Sequence, residues 1–412
     1  EAALARACQS AGEGGSSGAS EALAAQYVLS CLRACATWRR FKEALAAFDR
    51  VGHRVGAGSA AVWSLLLYSA VEAEEFQRCE ALFSRLCESA LPSDHDFVNM
   101  ARFHACHRRD ARACRRWLAF LVERGFQAAA RARNRALAAC CAAGALDLAE
   151  AIMAFPGLCP EPADVVTFNT LMKGYAHAGR HGPCFGLYEE MRRAGVQPSK
   201  TTFGILLDAC NGAGDADRAR AVFADLAASG LGLNLIHYTT YMQGLVSAGR
   251  TDAAADVLCQ MQQSPATEPD LVAYSMLIRA YADRGDVAAA LRVLGEMARR
   301  GVEPDAVALH LALGGCCARP TAPAEVMRVL DELMRHGLRP STVTMSILVK
   351  AFRQTEAFAE ALALLEAAPG RLGAPPPEPR LFAQLAQACE RAGDRPGARA
   401  AYAGMAKAEA AE

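Results

Sequence analysis

Sixteen cysteines and nine histidines are the side chains of this sequence best equipped to hold a metal, form disulfides or act as nucleophiles. Their spacing supports none of these. No C-x-x-C occurs, and no pair of cysteines stands with His at finger spacing, so neither a zinc nor a disulfide framework is expected. Cys35, Cys140, Cys210, Cys316 and Cys389 instead fall at one recurring position, held elsewhere by Tyr175, Tyr281 and Phe352. A position shared with aromatic residues is one for small buried hydrophobes, and thiols that stay free fit a reducing compartment. Gly14-Gly15-Ser16-Ser17-Gly18 matches the nucleophile motif G-x-S-x-G only in letters, because no strand precedes it. No phosphate-binding G-x-x-x-x-G-K-[ST] occurs, and no H-x-E with P-C-x-x-C of a zinc deaminase. The acidic residues form no cluster resembling a metal-dependent nuclease. His177 and His237 are expected on helices, facing solvent or a groove rather than a metal. The chain is therefore not read as an enzyme, and no cofactor, metal or catalytic residue is expected.

The composition narrows the class further. The 412 residues carry 44 Lys+Arg against 44 Asp+Glu, and 52% are hydrophobic. That apolar fraction is too high for general disorder. The longest uncharged run, from about Leu226 to Gly249, includes Asn234, His237, Thr239, Thr240 and Gln243, which argues against a membrane span. Zero net charge gives no general attraction to polyanions, so positive charge for such a partner must be gathered on one face. The chain opens on Glu1, as a processed or trimmed fragment does, and any targeting peptide would lie outside it.

The elements that position these residues are set by a repeat. Gly144, Gly179, Gly214 and Gly249 stand 35 residues apart, with Gly285 36 further on, and Gly393 continues the series. A second series runs Gly195, Gly230, Gly301, Gly337, and a third Pro198, Pro269, Pro304, Pro340. The chain divides into about eleven units, opening at residues 25, 60, 94, 130, 165, 200, 235, 271, 306, 342 and 379. Residues 1–24 read as a Gly/Ser-rich flexible linker with a partial helix, 25–129 as three degenerate units, 130–305 as five well-formed ones, and 306–412 as degenerate again. In the unit opening at 306, Arg319, Pro320 and Pro323 replace the inner-turn glycine.

Each unit reads as two helices. Between 165 and 199 the first is predicted from about Val166 to Ala178, with Leu171, Met172, Tyr175 and Ala176 as its apolar stripe. Gly179 supplies the left-handed stop. The second is predicted from about Gly182 to Ala194, with Phe185, Leu187, Tyr188 and Met191 inward. A pair this small cannot bury its own apolar face and must stack on its neighbours.

The segments Val165-Val166-Thr167-Phe168-Asn169-Thr170-Leu171-Met172, Gly174-Tyr175, Ala178-Gly179-Arg180 and Glu189-Glu190-Met191 through Gly195-Val196-Gln197-Pro198-Ser199 resemble the pentatricopeptide repeat. Leu271-Val272-Ala273-Tyr274 through Gly301-Val302-Glu303-Pro304-Asp305 repeats the pattern. The resemblance covers nearly the whole chain, and units near 35 residues point to the P-type subclass. Tetratricopeptide repeats, a protein-binding solenoid, have a 34-residue period and a Trp-bearing opening that the clean units lack. The expected fold is all-α: a right-handed superhelical α-solenoid of about eleven 35-residue helix-turn-helix repeats.

The resemblance implies single-stranded RNA in the concave groove, one base per repeat. In the family the second residue of a repeat sandwiches the base, and the fifth and thirty-fifth read its edge. Carried over, the sandwich residues are Val166, Thr201, Ile236, Val272, Val307 and Val343, with Arg131 departing from the aliphatic pattern. Asn134 with Asp164 resembles a uridine-preferring pair and Asn169 with Ser199 a cytidine-preferring one. Thr239 with Asp270, and more loosely Ser275 with Asp305, resemble guanosine-preferring pairs. Gly204 with Asn234 offers no edge contact. The expected core target is 5′-U-C-n-G-G-3′. Leu29, Val98 or Asn99, His310 and Ala383 match no reading pair, and Ser346 with Glu378 is in doubtful register. Lys173, Arg279 and Lys350, with Arg353, are the expected phosphate contacts, diluted by Asp208 and Asp283. Ten arginines between residues 101 and 135, interleaved with Phe103, Trp117, Phe120 and Phe126, form either a phosphate platform or a salt-bridged face.

A simpler account covers some of the same residues. Ser59, Ser93, Asp164, Ser199, Asn234, Asp270, Asp305 and Ser341 each precede a helix, and N-caps of these types are worth roughly 1 kcal/mol without any RNA. A protein-interaction scaffold, or the targeting arm of a larger RNA-processing enzyme, are the alternative functions. The family resemblance implies a mitochondrion or chloroplast, action by site occupancy in RNA processing, stability or translation, and room for protein partners on the convex face. No membrane or small-molecule partner is expected.

Overall fold

The computed structural model describes residues 17–51, 59–263, 267–337 and 339–409, and among them there are helices and no β-strand. The predicted linker lies outside the described residues as far as residue 16, and a helix runs from Ser17 to Thr37. No helix among the described residues is long and apolar enough to cross a membrane. Contacts divide the chain into two compact units, Glu1–Gly212 and Ala213–Glu412.

Both units are built from the same part. Helices predicted near Val166–Ala178 and Gly182–Ala194 are found at Val165–His177 and His181–Arg193. In the first unit, first helices at Ala60–Glu72, Asp94–Phe103, Ala130–Ala142 and Val165–His177 stack in succession. In the second, Leu235–Ser247, Leu271–Asp283, Ala306–Gly314, Thr342–Gln354 and Pro379–Ala392 do the same. The stack buries the third, fourth, seventh and eighth residues of a first helix. Thr167, Phe168, Leu171 and Met172 are buried, as are Ala273, Tyr274, Leu277 and Ile278. The recurring cysteine position lies in this core: Cys140, Cys210, Cys316 and Cys389 are fully buried. Burial pushes the Cys316 thiol up to about 12, so it stays protonated and unreactive.

The turns explain both the glycine series and the degenerate units. Gly144, Gly179, Gly214, Gly249 and Gly285 all close their first helices with φ between 68° and 72°. At the same place Arg39 (φ 54°), Glu74 (φ 61°), Arg109 (φ 48°) and Glu356 (φ 54°) hold the left-handed backbone without being glycine. That conformation costs a side-chain-bearing residue roughly 1–2 kcal/mol. Glu74→Gly is therefore expected to stabilise the first unit by about 1 kcal/mol net of the glycine's entropy, read as a rise in the urea midpoint at unchanged slope. Units longer than 35 residues absorb the excess locally. The unit opening at 94 carries one extra residue and a π-turn at His104–Arg108, where a wider turn takes in the insertion. A second π-turn, Ala368–Leu372, stands before the proline-rich passage at 375–377.

Candidate nucleic-acid interface

The second, fifth and ninth residues of a first helix are spaced i, i+3, i+7 and so share one face. With the third, fourth and seventh turned into the stack, that face is left outside it. Val166, Ile236, Val272, Val307 and Val343 are 56%, 68%, 58%, 62% and 55% exposed, while their immediate followers are buried. Thr201 and Arg131, at the equivalent position, are exposed too. These five aliphatics are half of the large hydrophobics left in solvent among the described residues. Scattered exposed valines need no explanation; the same register position exposed in unit after unit does.

Three residues on from this exposed position comes a half-buried residue in five units, Asn169, Gly204, Thr239, Ser275 and His310, whereas Ser346 is exposed. The residue that closes each unit caps the next first helix. Asp164, Ser199, Asn234, Asp270, Asp305 and Ser341 accept a backbone N–H from the third residue of the helix they cap, at 2.7–3.4 Å. Ser93 caps likewise; Ser59 and Glu378 make no such bond. Capping thus uses one acceptor of each, and the second carboxylate oxygen of an Asp remains available. Hydrogen bonds to Thr167 and Asn134, together with Arg133, hold the Asp164 carboxyl below its ordinary range despite the opposing effect of partial burial.

The fifth and closing residues meet directly in two places. Asn134 Nδ2 donates to Asp164 Oδ1 at 3.1 Å, and Asn169 Nδ2 donates to Ser199 Oγ at 3.3 Å. Thr239 does not reach Asp270: its hydroxyl donates to Leu235 O and Ile236 O of its own helix, at 3.0 and 3.1 Å. Gly204 lies in the first compact unit and Asn234 in the second. Two other fifth residues, Ser64 and His310, reach the third residue of the following unit rather than its cap. Ser64 Oγ donates to Asp96 Oδ1 at 2.6 Å, and His310 Nε2 lies 2.8 Å from Thr344 Oγ1. Both were legible from register alone, since each is the fifth residue of a unit whose successor carries a polar third residue. Val98 and Asn99 are buried and face no groove.

The predicted basic residues fall into distinct sets. Lys173, Arg279 and Lys350 are exposed at the ninth position, one turn beyond the polar fifth residue. Arg279 shares its field with Asp283 at 3.8 Å, an exposed pairing of little strength. Asp208 occupies the ninth position of its own unit. The arginine-rich stretch 101–135 is not uniform. Arg102 pairs with Glu72 at 2.5 Å and Arg108 with Glu80 at 2.6 Å. Arg133 is buried and donates to Glu161 O and Pro162 O at 2.9 and 3.0 Å, which removes it from any phosphate platform. Phe103, Trp117 and Phe126 are core residues, and only Phe120 is exposed. Arg112, Arg115, Arg116, Arg131 and Arg135 remain at the surface.

His237 corrects the reading that placed it in solvent or a groove. It is the third residue of its helix, a stacking position, and its ring is buried. His177 is exposed, as expected.

Comparison with known proteins agrees with this geometry. A PPR repeat family model matches residues 163–212 and 269–318, and a PPR repeat model matches residues 236–265. A chloroplastic pentatricopeptide repeat-containing protein of Arabidopsis thaliana is 30% identical over 164 residues, 40% of this chain and 21% of that protein. A mitochondrial one from the same plant is 26% identical over 153 residues, 37% of this chain and 24% of its own length. The chain thus spans about a fifth to a quarter of these curated relatives. Among solved structures, the pentatricopeptide repeat protein PPR10 in complex with an 18-nt psaJ RNA element aligns with a TM-score of 0.53 at 20% identity, over 92% of this chain and 58% of that one. That likeness is one of fold. Stacked helix pairs in one register, left-handed closing turns at a fixed place and family matches over residues 163–212, 236–265 and 269–318 show that this chain carries repeats of the pentatricopeptide family.

Proposed function

We propose that this chain is a P-type member that binds single-stranded RNA along the exposed faces of its first helices, reading 5′-U-C-n-G-G-3′ through units 130–305. The observation that carries this reading is the recurrence of an exposed aliphatic, three residues before a polar side chain, in successive helices. An unstacked base needs an apolar plate for its face and a hydrogen-bonding group for its edge. The first helices opening at 165, 235 and 271 offer both within one turn. Exposed Lys173, Arg279 and Lys350 stand where a phosphate strand would follow the bases. With only one such charge on each of these helices, moderate affinity and steep salt dependence are expected.

The chain acts by occupancy: it masks a site, holds a stretch of RNA open or places a processing factor. Relatives named for the chloroplast and the mitochondrion support an organellar setting. Fluorescence anisotropy with that oligonucleotide and scrambled versions is the direct test. Asn169→Thr together with Ser199→Asp is expected to move preference at the second base from C toward G, by about tenfold in the affinity ratio. Equal affinity for every sequence would sink the reading, and absence of RNA binding at low salt would leave a protein scaffold.

A further inference from the structure

We propose that the third residue of each following repeat is a positioning residue for specificity: it turns the preceding repeat's fifth side chain and so selects the group shown to a base. Resting on the RNA-binding reading, this inference concerns Thr167 behind Asn134 and Thr202 behind Asn169.

One contact is common to both junctions. Thr167 Oγ1 donates to Asn134 Oδ1 at 2.7 Å, and Thr202 Oγ1 donates to Asn169 Oδ1 at 2.8 Å. Both threonines are fully buried. At the second junction the bonds close a ring. Thr202 Oγ1 accepts the Ser199 backbone N–H at 2.9 Å and lies 3.0 Å from Ser199 Oγ. Ser199 Oγ accepts from Thr202 N–H at 3.2 Å and from Asn169 Nδ2 at 3.3 Å. Ser199 therefore sends its own proton to Thr202, and Thr202 sends its proton to Asn169 Oδ1. Such a ring strengthens each of its members. At the first junction Thr167 Oγ1 accepts from Arg133 Nη2 and from Asp164 N–H, both at 3.3 Å. Its one proton faces two acceptors at 2.7 Å, Asn134 Oδ1 and Asp164 Oδ1.

The consequence is chemical. An amide free to rotate can show a base either an acceptor or a donor. With Oδ1 held by the threonine and one Nδ2 proton on the closing residue, the group left outward is the other Nδ2–H. A lone donor suits the acceptor atoms of a pyrimidine edge. It works against adenine, which takes asparagine through oxygen and nitrogen together.

Units with a different third residue behave differently. Ala273 and Ala308 follow Thr239 and Ser275, and no side-chain bond crosses from Thr239, whose hydroxyl turns to its own helix. Thr344 again holds a fifth residue, His310. Thr344 Oγ1 accepts from the Ser341 N–H at 3.0 Å and lies 2.8 Å from His310 Nε2. Burial lowers that imidazole's pKa, which favours the neutral ring.

The test uses the full chain with Thr202→Val, which keeps shape and loses the hydroxyl, and Thr202→Ser, which restores it. Binding is measured to the target with C or A at the second base and, separately, G or A at the fourth. Wild type is expected to favour C over A by about tenfold. Thr202→Val should bring that ratio to about twofold or less while the fourth-base ratio stands, and Thr202→Ser should recover most of it. Melting curves report any capping loss, which would weaken all sequences alike. A second measurement does not depend on Thr202: Thr239→Asn should gain fourth-base pyrimidine preference more strongly with Ala273→Thr than without it. An unchanged second-base ratio in Thr202→Val, or a loss as complete in Thr202→Ser, overturns the proposal while leaving base reading intact. A wild type without preference at any base overturns the RNA-reading hypothesis itself, and this proposal with it.

Discussion

Replacing Ile236 and Val272 together by Asp is expected to weaken binding of the 5′-U-C-n-G-G-3′ oligonucleotide by roughly thirtyfold without lowering thermal stability. Both residues are more than half exposed, so neither contributes much to the stack. Each sits in the first turn of its helix, behind a capping Asn234 or Asp270. An aspartate there meets the favourable end of the helix dipole, so the fold loses nothing. The interface loses an apolar plate on two successive helices, about 1 kcal/mol for each base face, and gains two negative charges against a polyanion. About 2 kcal/mol in total corresponds to the expected factor. Anisotropy titrations paired with melting curves separate binding from folding. Undiminished binding would mean that the exposed aliphatics touch no base.

The second large effect is on stability. Gly174→Val is expected to cost about 3 kcal/mol, the upper end of the overpacking range. A Cβ at Gly174 would lie 2.4 Å from Cys141 Sγ and 2.8 Å from its Cβ, on the neighbouring first helix. The tenth position is small in most units, with Ser69, Ala139, Ala209, Gly244, Ala280, Gly315 and Ala351; Phe103, in the unit opening at 94, is the exception. This register sets how closely first helices approach. Gly186 is the control, because a Cβ there meets nothing within 4 Å. Gly186→Ala removes a glycine from a helix interior and is expected to stabilise by about 0.5–1 kcal/mol. Chemical denaturation of both variants decides the matter. Equal effects would show that helix propensity, not inter-helix distance, governs this site.

Much of the site was legible in the residues, and the reason is periodicity. A 35-residue repeat places each side chain by its count from the start of a unit, so exposed Val166, Ile236 and Val272 and the capping Asp164, Asp270 and Asp305 were identifiable before any coordinates. The glycine series reported the turns because left-handed backbone is costly for other residues. Where that signal lapses, as at Glu74 and Glu356, the turn persists and the backbone carries the strain.

What the sequence determined by itself was everything local or periodic: helix pairs, caps, turns, and which stripe of a first helix faces away from the stack. What only the tertiary structure decided were the contacts between one repeat and the next. Arg133 looked like one more arginine of a basic stretch, and packing buried it against the carbonyls of Glu161 and Pro162. His237 carried no mark of burial except its count. The threonine behind each asparagine drew no reading from the sequence, because its bond to the preceding repeat depends on how closely two helices lie side by side. A hydrogen bond forms or fails within a few tenths of an ångström. Sequence spacing fixes which residues are neighbours; only the packed helices fix that distance.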